Sequence, residues 1–280
     1  MNSIWKFSVA VSEKTSDNYP SILRGNFVDT IIEAKSIGFQ AVEIHTGNPR
    51  SFPWEEVKKV CDSEGMEVSA ISSGFSYSLE NLSVLSDEPE IRKRARKRFI
   101  EYIDLSSHLG CMLILGLMRG PLSDALRYKE SAEKLRNYLN EILEYTKEKN
   151  VILVLEAINR YENNFIRSVR EVVDFVSFIG NPYLKAHIDT YHMNIEESDC
   201  VNAVHYARGS LGYVHFSDSN RKIPGFGHID FFSIARALNR INYRGYITVE
   251  SIPYPDNSTA AELSLAYLKN LELVISLEEK

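Results

Sequence analysis

The chain has 280 residues, 44% of them hydrophobic, with 32 Lys and Arg against 38 Asp and Glu, a formal charge of −6 and a pI near 5.7. That balance argues against a general polyanion binder, because phosphate backbones are held mostly by Lys and Arg, and it points to a small polar metabolite as partner. Cys61, Cys111 and Cys200 are odd in number and form no C-x-x-C pair, so they support neither a disulfide framework nor a thiolate zinc site.

The amino terminus, Met1-Asn2-Ser3-Ile4-Trp5-Lys6-Phe7, has no charged leader ahead of a long apolar region. No window approaches the ~20 apolar residues of a membrane span, so a soluble, cytoplasmic protein is expected. Ile4 to Val11 suits a first strand, and Phe27, Val28, Ile31, Ile32 and Ile37 then recur at helical spacing up to Gly38. Gln40 to Thr46 reads as the second strand, Pro53 to Glu64 as a helix with Pro in its first turn, and Met66 to Ser72 as the third strand. A longer connection through Gly74-Phe75-Ser76-Tyr77 leads to a helix from about Glu88 to Leu109 and a fourth strand, Cys111 to Leu117.

Ser123 to Asn150 reads as helix and Val151 to Ala157 as the fifth strand. Ser168-x-x-Glu171 is a capping box ahead of an amphipathic stripe, Val169, Val172, Val173, Val176 and Ile179, which stops at Gly180-Asn181-Pro182. Leu184 to Thr190, Gly212 to Ser217 and Tyr246 to Ser251 complete the strands, separated and followed by helices at Ser198 to Arg208, Asp230 to Asn242 and Ser258 to Leu277. Eight strand-helix alternations with near-continuous apolar strands predict an α/β protein, a (β/α)8 TIM barrel formed as one domain over residues 1–280.

Four of these runs end in a metal-ligating residue: Val151 to Leu155 in Glu156, Leu184 to Ile188 in Asp189, Leu211 to Val214 in His215, and Tyr246 to Val249 in Glu250. In parallel barrels the functional groups come from the carboxyl ends of the strands. Three acids and an imidazole there suit one hard or borderline divalent cation, Mn²⁺, Co²⁺, Mg²⁺ or Zn²⁺. His192, three residues after Asp189, and Glu162, on the loop after Glu156, are candidates to contact substrate oxygens. Arg221, in a Gly/Pro-punctuated loop, offers five donors to the same end.

Other residues carry weaker signals. His45 and Arg119 follow strand ends and divide between pocket rim and structure, while Trp5, Phe7 and Tyr254 divide between an apolar wall for a ligand and packing. The basic run Arg92 to Arg98 reads as a solvated helix face, because its charges point all round the helix and Asp87, Glu88 and Glu90 adjoin it. His108, His187, His205 and His228 show no usable pattern.

The segments Leu155-Glu156-Ala157-Ile158-Asn159-Arg160-Tyr161-Glu162 and Asp189-Thr190-Tyr191-His192-Met193-Asn194-Ile195-Glu196-Glu197, the His215 to Arg221 spacing and Glu250 resemble the ketose 3-epimerases of the tagatose and psicose epimerase group, within the xylose-isomerase-like barrel superfamily. The likeness in strand order and length covers essentially the whole chain. It implies that Glu156, Asp189, His215 and Glu250 bind one divalent metal, Mn²⁺ foremost, and that Glu162, His192 and Arg221 hold substrate oxygens. It implies further that Glu156 and Glu250 are the proton-transfer bases, epimerising a ketose at C3 through a cis-enediolate, in a homodimer or homotetramer.

The free-sugar members tend to present an aromatic residue after the fourth strand. Here Gly116-Leu117-Met118-Arg119-Gly120-Pro121 stands there instead, and Arg119 would suit a phosphate or carboxylate. The competing readings are an aldose-ketose isomerase of the hydroxypyruvate isomerase kind, a sugar-phosphate isomerase or epimerase, and a non-catalytic sugar-binding module. An apurinic endonuclease would share Asp-x-x-His after the sixth strand, but Ser72 and Leu117 occupy the strand ends where its further histidines belong.

Overall fold

Eight parallel strands, each buried on both faces, close on themselves: β1 (Lys6–Ser12), β2 (Ala41–His45), β3 (Glu67–Ser72), β4 (Met112–Leu115), β5 (Leu153–Glu156), β6 (Leu184–Asp189), β7 (Leu211–Phe216) and β8 (Tyr246–Val249). Each pairs with the next, and β8 pairs back onto β1, Lys6 standing opposite Tyr246. A two-residue strand, Leu23–Arg24, continues beside β1 beyond the point where the β8 register ends. The computed structural model describes residues 3–13, 15–122 and 128–278.

Among the described residues ten α-helices alternate with the strands: α1 (Phe27–Ile37), α2 (Trp54–Glu64), α3 (Gly74–Glu80), α4 (Pro89–Leu109), α5 (Tyr128–Glu148), α6 (Val169–Ile179), α7 (Thr190–Glu196), α8 (Cys200–Tyr206), α9 (Phe231–Arg240) and α10 (Asn257–Glu278). The main core lies between their apolar faces and the outer face of the barrel. A smaller cluster, Ala70, Ile114, Val154 and Tyr213, fills the barrel interior below the strand ends. Beside it runs a polar ladder, Ser8 to Ser69 at 2.8 Å, Ser69 to Tyr213 at 2.7 Å and Tyr213 to Thr248 at 2.6 Å, so each buried hydroxyl has a partner.

The expected capping box is present: Ser168 Oγ accepts from Glu171 N, Glu171 Oε2 accepts from Ser168 N, and Gly180 closes α6 in the left-handed conformation. The basic run of α4 is absorbed locally, as expected for a solvated face. Arg94 and Arg98 pair with Glu80, Arg96 pairs with Glu141, and Arg92 donates to the carbonyls of Ser86 and Asp87.

Elsewhere the structure differs from the sequence reading. The connection after β3 is a helix, α3, closed by Asn81 at φ 53°. The sixth strand stops at Asp189 rather than Thr190, because Asp189 caps α7, a helix that the sequence reading did not include. The fourth strand stops at Leu115, and 117–119 is a single 3-10 turn. Of the helix expected over 123–150, residues 128–148 are helical and 123–127 lie outside the described residues. Trp5 and Phe7 do not wall the barrel mouth: they are buried at the amino end of β1, where Trp5 Nε1 donates to Tyr243 O at 2.9 Å. Tyr254 is half-exposed on the rim, with Lys222 Nζ 3.8 Å from its ring centroid. Among the described helices none is long and apolar enough to cross a membrane.

Candidate active site

The carboxyl ends of the strands open into a cavity of about 180 Å³ whose walls include Tyr19, Glu156, Glu162, His192, Arg221 and Glu250. Glu156 is the last residue of β5, Asp189 the last of β6, His215 lies one residue inside the end of β7, and Glu250 follows β8. All four are buried. His215 Nδ1 lies 3.7 Å from Asp189 Oδ2 and 3.6 Å from Glu250 Oε2.

Asp189 divides its two oxygens. Oδ1 caps α7 by accepting from Tyr191 N at 2.7 Å and His192 N at 3.4 Å, while Oδ2 is buried without a hydrogen-bond partner. The capped first turn also places His192 beside Asp189. Asn159 Nδ2 is 2.7 Å from His192 Nδ1 and 2.9 Å from Glu162 Oε1, while Asn159 Oδ1 accepts from Tyr161 N at 2.9 Å. Those three bonds fix the amide orientation, so Asn159 donates to His192 Nδ1 and the imidazole proton sits on Nε2. Burial pushes His192 down to about 4, which keeps it neutral. Its Nε2–H faces Glu156 Oε1 at 3.7 Å. Arg160 pairs with Glu196 at 2.8 Å and ties the Glu162 loop to the end of α7.

Arg221 occupies the left-handed region at φ 62°, uncommon for a residue with a side chain. The turn that imposes it directs the guanidinium inward. Nη2 donates to Glu250 Oε2 at 2.8 Å, Nη1 lies 3.6 Å from Asp189 Oδ2, and the group rests on the Tyr191 ring at 4.5 Å.

Glu43, in the middle of β2, was not singled out in the sequence. It is fully buried and bridges two histidines, Oε1 to His45 Nε2 and Oε2 to His215 Nε2, both at 2.7 Å. A register irregularity at Val42/Glu43 lies at this level, and a second at Ala186/His187 stands opposite Gly212; such bulges re-aim side chains next to functional sites. Burial would raise the Glu43 carboxyl, but His215 and His45 outweigh it and hold Glu43 below the usual range. As a carboxylate it only accepts, so His215 turns Nε2–H to it and presents Nδ1, otherwise without a partner, to Asp189 and Glu250. His45 is thereby a buried structural group, not a rim residue. His187 lies edge-on to His215 at 4.2 Å, with both ring nitrogens unpartnered.

The charge balance matches a cation. Burial pushes Glu156 up to about 7 and Glu250 well above its ordinary range, against the pull of His215 and Arg221. For His215 burial acts downward, but Glu43 and Glu250 outweigh it and raise the imidazole far above normal. For Asp189 burial acts upward and is outweighed by Arg221 and His192, so it stays ionised. Three groups drawn toward protonation beside one unpartnered carboxylate oxygen mean more negative charge than Arg221 balances. Three groupings among the described residues could hold a metal ion, Glu156/His187/His215, Glu43/His215/Glu250 and Glu156/Asp189/His192, the first sharing His215 with the second and Glu156 with the third. The donor set, carboxylates with one or two imidazoles, fits a divalent ion.

Arg119 is not a ligand-binding group. It is fully buried, and its five N–H groups all donate to backbone carbonyls, those of Gly116, Glu156, Phe165 (twice) and Ile166, at 2.8–3.1 Å. The clamp holds Ile166 at φ 54° and the backbone of Glu156 itself. Arg119→Met is therefore expected to cost about 3–5 kcal/mol in urea unfolding, through carbonyls left buried and unpaired. A loss under ~1 kcal/mol would contradict the clamp.

A family model described as a xylose isomerase-like TIM barrel matches residues 31–271. The chain belongs to that family. Within it, the chain is 32% identical over 228 residues to the L-ribulose 3-epimerase of Methylomonas sp. (strain DH-1), covering 79% of this chain and 77% of that one. It is 29% identical over 240 residues to the ketose 3-epimerase of Arthrobacter globiformis, covering 84% and 80%. The crystal structure of a D-allulose 3-epimerase from Methylomonas sp. superposes with a TM-score of 0.79 at 26% identity, over 96% of this chain and 98% of that one. The family is enzymatic, and these relatives are epimerases, a class of isomerase.

All seven residues singled out in the sequence as site candidates, Glu156, Glu162, Asp189, His192, His215, Arg221 and Glu250, converge on this one site. Glu43, Asn159 and Tyr19 join them from the structure alone. The nearest sequence signal for Glu43 was an acid inside Ala41-Val42-Glu43-Ile44-His45, a run whose both faces are covered and which must therefore pair its charge.

Proposed function

We propose that the protein is a divalent-metal-dependent ketose 3-epimerase acting on unphosphorylated ketoses. The observation that carries this reading is the pairing of Glu156 and Glu250. The two carboxyls line one small cavity from strands three apart in the closed barrel, and so approach a bound carbon from different sides. Inverting a carbon that carries an acidic proton needs a base on one face and an acid on the other. One glutamate takes the C3 proton and the other returns a proton to the opposite face. His192 donates Nε2–H to a ketose oxygen, Glu162 accepts from a hydroxyl, and Arg221 holds Glu250 in place while offering its remaining donors.

Glu156, Asp189, His215 and Glu250 would hold the ion, with Mn²⁺ the first expectation and Co²⁺, Mg²⁺ and Zn²⁺ the competitors. Bound there, it supplies positive charge against the oxyanion that develops as the carbon beside the ketone loses its proton.

The choice of a free sugar rests on charge. Among the described residues no lysine lines the cavity, the charge of Arg221 is met by Glu250 and Asp189, and Arg119 has no donor left, while three carboxyls face inward. A phosphate dianion finds repulsion there rather than a partner. A D-allulose 3-epimerase of Methylomonas sp. has been solved in complex with D-allulose, a free ketose.

The test is a panel of ketohexoses and ketopentoses, free and phosphorylated, incubated with metal-stripped protein with and without Mn²⁺ and followed by ¹³C NMR. The expected result is a C3 epimer from a free ketose, dependent on Mn²⁺ and absent with EDTA. Turnover confined to phosphorylated ketoses, or an aldose product, would overturn the reading.

A further inference from the structure

The cavity wall at Tyr19 and the imidazole of His215 stand at two ends of one hydrogen-bonded chain. Tyr19, in the loop after β1, lines the cavity and stacks on Phe75 with centroids 4.0 Å apart and planes 12° from parallel. Its hydroxyl lies 2.7 Å from His45 Nδ1. His45 Nε2 lies 2.7 Å from one oxygen of Glu43, and the other oxygen lies 2.7 Å from His215 Nε2. The sense of every bond follows from the carboxylate. Glu43 can only accept, so both imidazoles turn Nε2–H toward it; His45 Nδ1 is then a lone pair and accepts the phenolic proton of Tyr19. The same logic makes Nδ1 the His215 nitrogen that faces Asp189 and Glu250.

We propose that Tyr19 is a positioning residue for the metal ion: through His45 it holds Glu43, and through Glu43 it fixes the ring orientation of His215. The wall that packs a sugar and a donor that binds the ion are thereby one unit. This rests on the metal-binding reading above. It adds that pressure on Tyr19 from the cavity alters ion affinity, and by thermodynamic reciprocity that the ion alters affinity for whatever packs on Tyr19. Without the hydroxyl, His45 Nδ1 is left buried and unpaired. The His45 ring then loses the bond that holds its plane, and Glu43 is left with one firmly placed anchor instead of two.

The experiment is titration of the metal-stripped full chain with Mn²⁺ by calorimetry, with no sugar present, in wild type, Tyr19→Phe, Glu43→Gln, the double variant, and Tyr138→Phe as a buried tyrosine outside the chain. Partners that orient metal-bound histidines are worth about 10–100-fold in affinity, which is the loss expected for Glu43→Gln. Tyr19→Phe, two bonds further out, is expected to raise the Mn²⁺ Kd about three- to tenfold. The double variant should be no weaker than Glu43→Gln alone, since the chain is already broken, and Tyr138→Phe should match wild type. In ¹⁵N NMR, His45 should keep the Nε2–H tautomer in both proteins, with the Nδ1 resonance shifted in Tyr19→Phe, where the phenolic donor is lost.

A Tyr19→Phe protein that melts like wild type and binds Mn²⁺ within twofold of it would overturn the proposal, as would full additivity in the double variant. Wild-type protein that binds no Mn²⁺ would defeat the metal reading and this one together. Normal Mn²⁺ binding with an unaffected Tyr19→Phe would remove only the Tyr19 link.

Discussion

Glu156→Gln and Glu250→Gln are each expected to lower kcat for net epimerisation about 10²–10⁴-fold, the usual worth of a positioned general acid or base. The more telling expectation is what survives. If the two carboxylates serve opposite faces of C3, a protein lacking one can still remove the proton from the epimer that faces the other. Each variant then exchanges the C3 hydrogen of one epimer with solvent without making its partner, and the two variants act on opposite epimers. The geometry behind this is the entry of Glu156 from β5 and Glu250 from the end of β8 into one cavity. Both glutamines remain oxygen donors, so Mn²⁺ binding weakens but is not abolished, and titration separates lost ion from lost base. Equal exchange of both epimers by either variant would show a single base and contradict the two-sided arrangement.

Gly116→Ala is expected to lower kcat/KM by more than ~100-fold, although residue 116 bears no functional group. A Cβ built there would overlap Glu156 Oε2. The Glu156 side chain must rotate to relieve the overlap while its backbone carbonyl stays held by Arg119, so its carboxyl leaves the position it has here. Displacing a proton-transferring carboxylate by about 1 Å is enough for a loss of that order. The stability cost is expected to be only about 1–3 kcal/mol, the range for one extra methyl in a packed interior, so the variant should remain folded. Wild-type turnover in Gly116→Ala would show that Glu156 does not work from the position it has here.

The barrel and its reactive end were legible because both depend on local pattern. An apolar run ending in Glu156, Asp189, His215 or Glu250 records a strand that is buried along its length and emerges at the mouth. What escaped depends on partners distant in sequence. Glu43 meets His215 across 172 residues, and nothing in Ala41 to His45 separates a bridging acid from one that alternates outward. Helix α7 escaped because Asp189 is at once strand end and cap, so the motif Asp189 to Glu197 reads as a loop until the cap is seen. Arg119 invited a functional reading as a cation beside a strand end, whereas its five donors answer to carbonyls 37 to 47 residues away as well as its own turn. Tyr19, in Asp17-Asn18-Tyr19-Pro20, gave no periodic signal; only the closure of β1 against β2 brings it over His45.

The central claim is proton transfer at C3 between Glu156 and Glu250, and the measurement that tests it most directly is the position of solvent deuterium in recovered sugar. Wild-type protein loaded with Mn²⁺ is incubated in D₂O with the free ketose that it turns over, and both epimers are examined by NMR. The account predicts deuterium at C3 in both, with none at C1 and no aldose. Deuterium at C1 or C2 together with an aldose would contradict it and establish an aldose-ketose isomerase on the same carboxylate pair.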